Sequence, residues 1–291
     1  MKKAFPFLLL ATLILASCAY FEEPPASRAV VVGMDYYPYA NSLSWCVTDA
    51  KSIAGSLGIG SGEVIQILAT RSPAVTKSRQ DILAGLEAAR LEAPNGAWDL
   101  FLFYFSGHGL DLTGDLVFSN YGDGIWNDIL APEELLQAIA KIPARVRLVI
   151  LDSCYSGNFL KESPAISPYP ADYSKGNELF SFPFSFKLLS YTASNYAKGS
   201  AGDIVVMSAA GSDELSWEDS ILKHGIFTAA LLESSAKGDL NEDGIVSLTE
   251  AYTYARGYIA KEWNQQYEDD AYMPRISGSP LDVTLFMATK D

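Results

Sequence analysis

Two stretches constrain the fold more than any others: DLFLFYFS (99–106) and VRLVIL (146–151) are apolar at nearly every position. A strand with one wet face alternates, so an unbroken apolar run reads as a central strand covered on both sides. Shorter strands are expected at RAVVVGM (28–34), Val64 to Leu68, Ile204 to Ala209 and Val283 to Phe286. Helical spacing runs from Leu43 to Leu57, stopped by Gly58, and a second helix through about Leu91 can be capped by Thr76 or by Ser78, which has capping-box spacing with Asp81. Leu83, Leu86 and Ala89 give that second helix its buried stripe. Pro132 opens a further helix to about Lys141, and others are expected at Gly225 to Ala236 and Leu248 to Trp263. Leu110 to Asn120, with Gly114 at a turn, reads as a small hairpin. Strands alternating with helices imply an α/β protein with a mainly parallel sheet of about six strands, helices on both faces.

The chain has 291 residues and a net charge of -14. Nucleic acid is excluded as a partner, because phosphate binding needs clustered Lys and Arg. Lys2 and Lys3, a short apolar run from Phe5 to Leu15, and LASC (15–18) read as an export signal too short to span a bilayer. The LASC ending resembles a bacterial lipobox, which implies cleavage after residue 17 and a lipid on Cys18. Residues 18–27, with EEPP among them, are then a tether between a cell-envelope membrane and a domain over 28–291. Residues 158–203, rich in Ser, Pro, Tyr, Phe and Gly, read as one long loop, and such loops are more often functional than accidental.

The two strongest strands end in reactive residues: FSGHG (105–109) and LDSC (151–154). In parallel sheets, chemistry collects at the carboxyl ends of the strands. The chain has two histidines, and past Cys18 two cysteines, Cys46 and Cys154. Of the four pairings, only His108 with Cys154 puts both partners at strand ends. A free thiol is a few per cent thiolate at neutral pH, and an adjacent imidazole raises that fraction. Gly107, Gly109 and Gly157 flank the pair and let backbone N–H groups approach a developing oxyanion. Taken singly, Cys154 reads as a buried small hydrophobe and His108 as a turn residue; at paired strand ends they read as a dyad. His224, in KHGIFT, reads as structural at a helix start, while Asp213, Glu214, Glu218 and Asp219 either rim a cleft or are solvated.

FLFYFSGHG and LVILDSCYSG resemble the histidine and cysteine motifs of caspase-like cysteine peptidases, in particular the metacaspase branch and its bacterial relatives. VVVGMDYY, WCVTDA and HGIFTAALLE resemble other segments of that family, so the likeness spans about Arg28 to Phe286. It implies a caspase-like three-layer α/β/α sandwich. It also implies Cys154 as nucleophile, His108 as general base and acid, and Gly109 and Cys154 N–H groups as the oxyanion hole. The pocket for the residue before the scissile bond would hold Asp49 and Asp152, lined by Cys46 and Ser106, and would select Arg or Lys in a peptide or protein substrate. Two carboxylates in a cleft are a coherent receptor for a cation. Tyr155 departs from the pattern, since a histidine is frequent there in metacaspases.

A separate signal is DLNEDGIVSLTE (239–250), which matches the EF-hand calcium-loop template. Asp239, Asn241 and Asp243 would supply oxygens, Ile245 its carbonyl, Ser247 the ninth position and Glu250 the bidentate twelfth. A structural Ca²⁺ is the expected cofactor, with no organic cofactor. Three functions follow: an envelope-anchored cysteine endopeptidase; a catalytically silent caspase-like binding or scaffold lipoprotein; and, on the loop alone, a calcium-dependent adhesion domain.

Overall fold

The computed structural model describes residues 26–57, 63–110, 113–122, 125–153, 204–211, 214–278 and 283–289. The expected signal sequence, most of the tether with Cys18, the expected nucleophile Cys154, Gly157, Asp213 and the loop at 158–203 lie outside the described residues.

In chain order the elements are β1 (Ser27–Met34), α1 (Cys46–Ser56), β2 (Val64–Arg71), β3 (Ala74–Val75), α2 (Arg79–Leu91), β4 (Trp98–Gly107), β5 (Leu116–Val117), β6 (Ile129–Leu130) and α3 (Pro132–Ala140). There follow β7 (Ala144–Ser153), β8 (Ile204–Ser208), β9 (Glu218–Asp219), β10 (His224–Gly225), α4 (Ile226–Lys237), β11 (Ile245–Ser247), α5 (Leu248–Tyr258), β12 (Arg275–Ser277) and β13 (Thr284–Met287). The principal sheet has the order β12-β8-β7-β4-β1-β2-β3. Its five inner strands run parallel, and the short edge strands β12 and β3 are antiparallel. The two unbroken apolar runs are indeed neighbours at its centre, as β4 and β7.

Strands β1, β4, β7 and β8 are buried on both faces over most of their length because their side chains alternate between two apolar layers. Val30, Val32, Phe101, Phe103 and Phe105 point to one layer, filled by Ile82 and Leu86 of α2 and Leu135 and Ile139 of α3. Ala29, Val31, Leu102 and Tyr104 point to the other, filled by Ala50 and Ile53 of α1, Phe227 and Leu231 of α4, and Leu248 and Ala255 of α5. The fold is a caspase-like three-layer α/β/α sandwich.

Several local expectations shift. The buried stripe of α2 is Ile82, Gly85, Leu86 and Ala89 rather than one through Leu83, following i, i+3, i+4, i+7. Asp81 accepts both the N–H and the hydroxyl of Ser78, so the expected cap forms. The turn at Gly114 forms and closes a short antiparallel pairing, with Leu110 N–H on the Asp115 carbonyl and Gly109 bridged to Leu116, and Leu116–Val117 pairs in addition with Ile129–Leu130. The helix from Leu248 ends its α-helical part at Tyr258 and loosens into a π-helical turn at Ile259–Trp263. The last expected strand, β13, pairs with β11 outside the principal sheet, and β12 takes the sheet edge instead.

The position of α1 depends on one close approach. A Cβ at Gly33 of β1 would lie 2.4 Å from the Cys46 carbonyl oxygen and 2.8 Å from Ala50 Cβ. The missing side chain lets the first turn of α1, with Cys46 and Asp49, sit directly on the strand end. Gly33→Ala is expected to push that turn outward and to destabilise the fold by about 1–3 kcal/mol, as overpacking does; urea unfolding measures it.

Candidate active site

At the carboxyl rim of the sheet, α1, β4, β7 and β10 enclose a cavity of about 300 Å³ lined by Cys46, Asp49, Ser106, Gly107, Asp152, Ser216, Trp217, Glu218 and Gly225. All four residues assigned to the pocket by family resemblance therefore line one space. The β4–β7 register pairs Ser106 with Asp152 and Gly107 with Ser153, which sets the two strand ends level. Asp49 is fully buried and Asp152 is 5% exposed. Both carboxylates converge on Gly225, where a Cβ would meet Asp152 Oδ2 at 2.4 Å and Asp49 Oδ2 at 3.2 Å. A side chain at 225 would occupy the space between the two acids.

Each acid is held by donors that carry no fixed positive charge. Asp152 accepts from the hydroxyls of Ser216 (2.5 Å) and Thr228 (2.6 Å) and from the Thr228 N–H (3.2 Å). Asp49 accepts from Ser106 Oγ (2.9 Å), from the Gly225 N–H (3.1 Å) and from His224 Nδ1 (2.7 Å). Among the described residues, no Lys or Arg pairs with either. Burial, then the charge of Asp49, pushes Asp152 up to about 7. Burial raises Asp49 as well, against the hydrogen bonds from His224, Ser106 and Gly225. Desolvation is the largest cause at both.

His108 follows Gly107 at the end of β4. Its Nε2 lies 2.6 Å from the Asn41 carbonyl oxygen. A carbonyl only accepts, so Nε2 carries the proton and Nδ1 is the free acceptor. The ring lies tilted at 4.7 Å from Tyr37, whose hydroxyl accepts the His108 backbone N–H at 3.0 Å. Burial lowers the imidazole pKa, with the Asn41 contact opposing. The ring is thus held in one orientation, with its neutral form favoured by burial. Gly109 continues past the histidine and bridges to Leu116, which fixes the strand-to-loop turn.

The cavity wall is closed by a long-range cap. No side chain within α1 caps its first turn; Glu218 accepts the Ser44 and Trp45 N–H groups at 3.0 and 2.8 Å, and Asp35 accepts that of Val47 at 3.0 Å. Burial raises Asp35 to about 6 and pushes the Cys46 thiol up. Of the four rim acids weighed from sequence, Glu218 lines the cavity; Asp219 accepts the N–H groups of Ile221 and Leu222 at the hairpin tip. Glu214 instead meets Arg275 and the Gly211 N–H. Trp217 also lines the cavity, and its buried indole N–H has no partner among the described residues.

Among the described residues, one trio with metal-ligating atoms within 4.8 Å is Asp35, Cys46 and Glu218. The helix N-terminus already uses both of its acids. In the 239–250 loop, Asp239 accepts the N–H groups of Asp243 and Gly244, Asn241 accepts that of Asp243, and Asp243 accepts that of Ile245. Glu250 accepts from Ser247 and from the Leu240 N–H, which lowers its pKa. The donors are all oxygens between α4 and α5, a set that suits a hard cation.

Sequence reasoning missed Ser216 and Thr228 on Asp152, Trp217 in the cavity wall and Asp35 at the start of α1, and it gave an incomplete account of two further groups. His224 does sit just before α4, but its ring reaches across to Asp49 rather than serving the helix alone. The Asn41 carbonyl was invisible, because a backbone acceptor leaves no residue-type signal.

Comparison with known proteins bears on the fold and the family. The Caspase domain family model matches residues 26–286. A search among curated proteins returned no match. Among solved structures, a protein from Geobacter sulfurreducens is 18% identical, with 91% of this chain and 99% of that chain covered and a TM-score of 0.55. Caspase-1 from Spodoptera frugiperda is 15% identical, with 92% and 91% covered and a TM-score of 0.56. The fold and the family match together make this a caspase-like domain. The chain belongs to the Caspase domain family, a family of cysteine peptidases.

An Asp whose folded pKa lies above its unfolded value binds an extra proton in the fold between the two, so stability falls as pH rises through that window. For Asp152 the window is 3.8 to about 7. Asp152→Asn should therefore lose less thermal stability than wild type between pH 5 and 8, and scanning calorimetry at both pH values checks this.

Proposed function

We propose that the protein is a cysteine endopeptidase that cleaves after Arg or Lys, with Cys154 as nucleophile and His108 as base. The observation that carries this reading is the pair of buried carboxylates, Asp49 and Asp152, converging on one cavity without a cationic partner among the described residues. An Arg guanidinium or Lys ammonium would supply the missing positive charge, with the Ser106 hydroxyl and Cys46 lining its path.

The chemistry follows from the histidine. With Nε2 held by Asn41, Nδ1 takes the Cys154 proton, and the thiolate attacks the scissile carbonyl carbon. The oxyanion is received by the N–H groups of Gly109 and Cys154. The imidazolium returns its proton to the leaving amine, the thioester forms, and water deprotonated by the same imidazole releases the acid and the free thiol. Support for Cys154 itself comes from register: Ser153, the residue before it, pairs with Gly107, the residue before His108. The Trp217 indole N–H is an available donor for a substrate backbone carbonyl.

The reading extends to the chain's other signals. LASC is proposed to place the enzyme on a bacterial cell envelope through lipid on Cys18, and the 239–250 loop is proposed to take one Ca²⁺ in a structural role. Nucleic acid is not proposed as a partner for a chain of net charge -14.

Fluorogenic peptides with Arg, Lys or Asp before the reporter, tested with Cys154→Ala alongside, decide the function. Cleavage of the Arg and Lys peptides is expected, lost at least about a thousandfold in the variant. Identical behaviour of the two proteins would leave a binding module. The free-enzyme profile of kcat/KM should rise as pH increases through about 7, where Asp152 gains its charge. Adding Ca²⁺ at about ten times its Kd should stabilise by about 1.4 kcal/mol, a shift of a few degrees in Tm. Asp239→Ala should abolish that shift.

A further inference from the structure

We propose that His224 is a positioning residue of the cation pocket: its Nδ1 holds Asp49, and its protonation supplies an internal counter-charge that competes with the substrate's basic side chain. The proposal rests on the reading of the Asp49–Asp152 cavity as the pocket for Arg or Lys.

Three facts carry it. The imidazole meets a fully buried carboxylate at 2.7 Å, and its side chain keeps 20% exposure, so the ring reaches solvent while Asp49 is covered. Both remaining donors to Asp49, Ser106 Oγ and the Gly225 N–H, are neutral. The other titratable groups facing Asp49 are Asp152 from β7, Tyr104 from β4, Cys46 from α1, Glu218 from β9 and Asp35 beyond β1. Each of these is neutral or negative. Across the β9–β10 hairpin, His224 pairs with Asp219, a further acid. Among these groups, His224 alone is able to carry positive charge.

The consequence is a linkage. A neutral imidazole with its proton on Nδ1 donates to Asp49 and leaves the full charge of the acid pair for substrate. An imidazolium makes the same hydrogen bond and cancels one of those charges. Binding of a substrate cation and of the proton are therefore mutually antagonistic, and by reciprocity substrate expels the proton. The effect falls on KM rather than on the chemical step, since His224 does not touch the scissile bond.

The test uses an Arg fluorogenic peptide over about pH 5 to 8, the range in which histidines change charge, with wild type, His224→Asn and His224→Ala. Asn places an amide N–H where Nδ1 stood and does not titrate. It should keep KM at pH 8 within about threefold, and its KM should rise less steeply than wild type's as pH falls. Ala should raise KM at pH 8 about tenfold, the loss of one hydrogen bond to a charged group, with kcat changed far less. An Asn profile that superimposes on wild type, or Asn and Ala variants that behave alike, overturns the proposal while leaving the peptidase reading intact. Should Ala fail to fold, the Asn profile still decides. Wild type that cleaves no basic peptide at any pH overturns both.

Discussion

The site depends on keeping two carboxylates inside a protein, close together and without a salt-bridging Lys or Arg among the described residues. Burying one such charge is costly, and a like charge beside it adds to the cost. The chain meets this with hydrogen bonds rather than Lys or Arg: three converge on Asp152 and three donors on Asp49. What they leave unbalanced is charge itself, which the proposed substrate cation would balance. The electrostatic strain of the empty cavity is thus the source of its proposed selectivity.

The fold exists, in this sense, to hold the two acids at fixed separation. Asp152 sits at the end of β7, which is gripped on both sides by parallel neighbours. Asp49 comes from α1, pressed onto β1 by the absent side chain of Gly33 and tied to β9 by Glu218, which lies far along the chain. β10 then closes the ring, because Gly225 admits both acids and His224 fastens one of them. Each wall of the cavity comes from a different part of the sequence. That distribution makes the site rigid, and it leaves no contiguous motif that encloses it.

Legibility in the sequence follows the same physics. The centre of the sheet was readable because a strand covered on both faces cannot hide its composition: β4 and β7 are apolar nearly throughout. The edge was not, since β12 is three residues long and its only signal is tertiary pairing with β8. β13 was readable as a strand but not as a partner of β11. Asp49 and Asp152 entered through family resemblance, and the structure gives that resemblance a physical content in shared burial around Gly225. His224 was misjudged because a histidine before a helix has a sufficient local explanation. Only the fold reveals that its ring faces a carboxylate from a segment far away in sequence.

The central claim is that charge, and not shape, selects the substrate side chain. It is tested most directly with paired peptides identical except for arginine or citrulline before the scissile bond, since citrulline keeps the size and loses the charge. The account predicts that kcat/KM favours arginine by at least about a hundredfold at pH 8, roughly 2.8 kcal/mol of discrimination. Equal cleavage of the two peptides would contradict it.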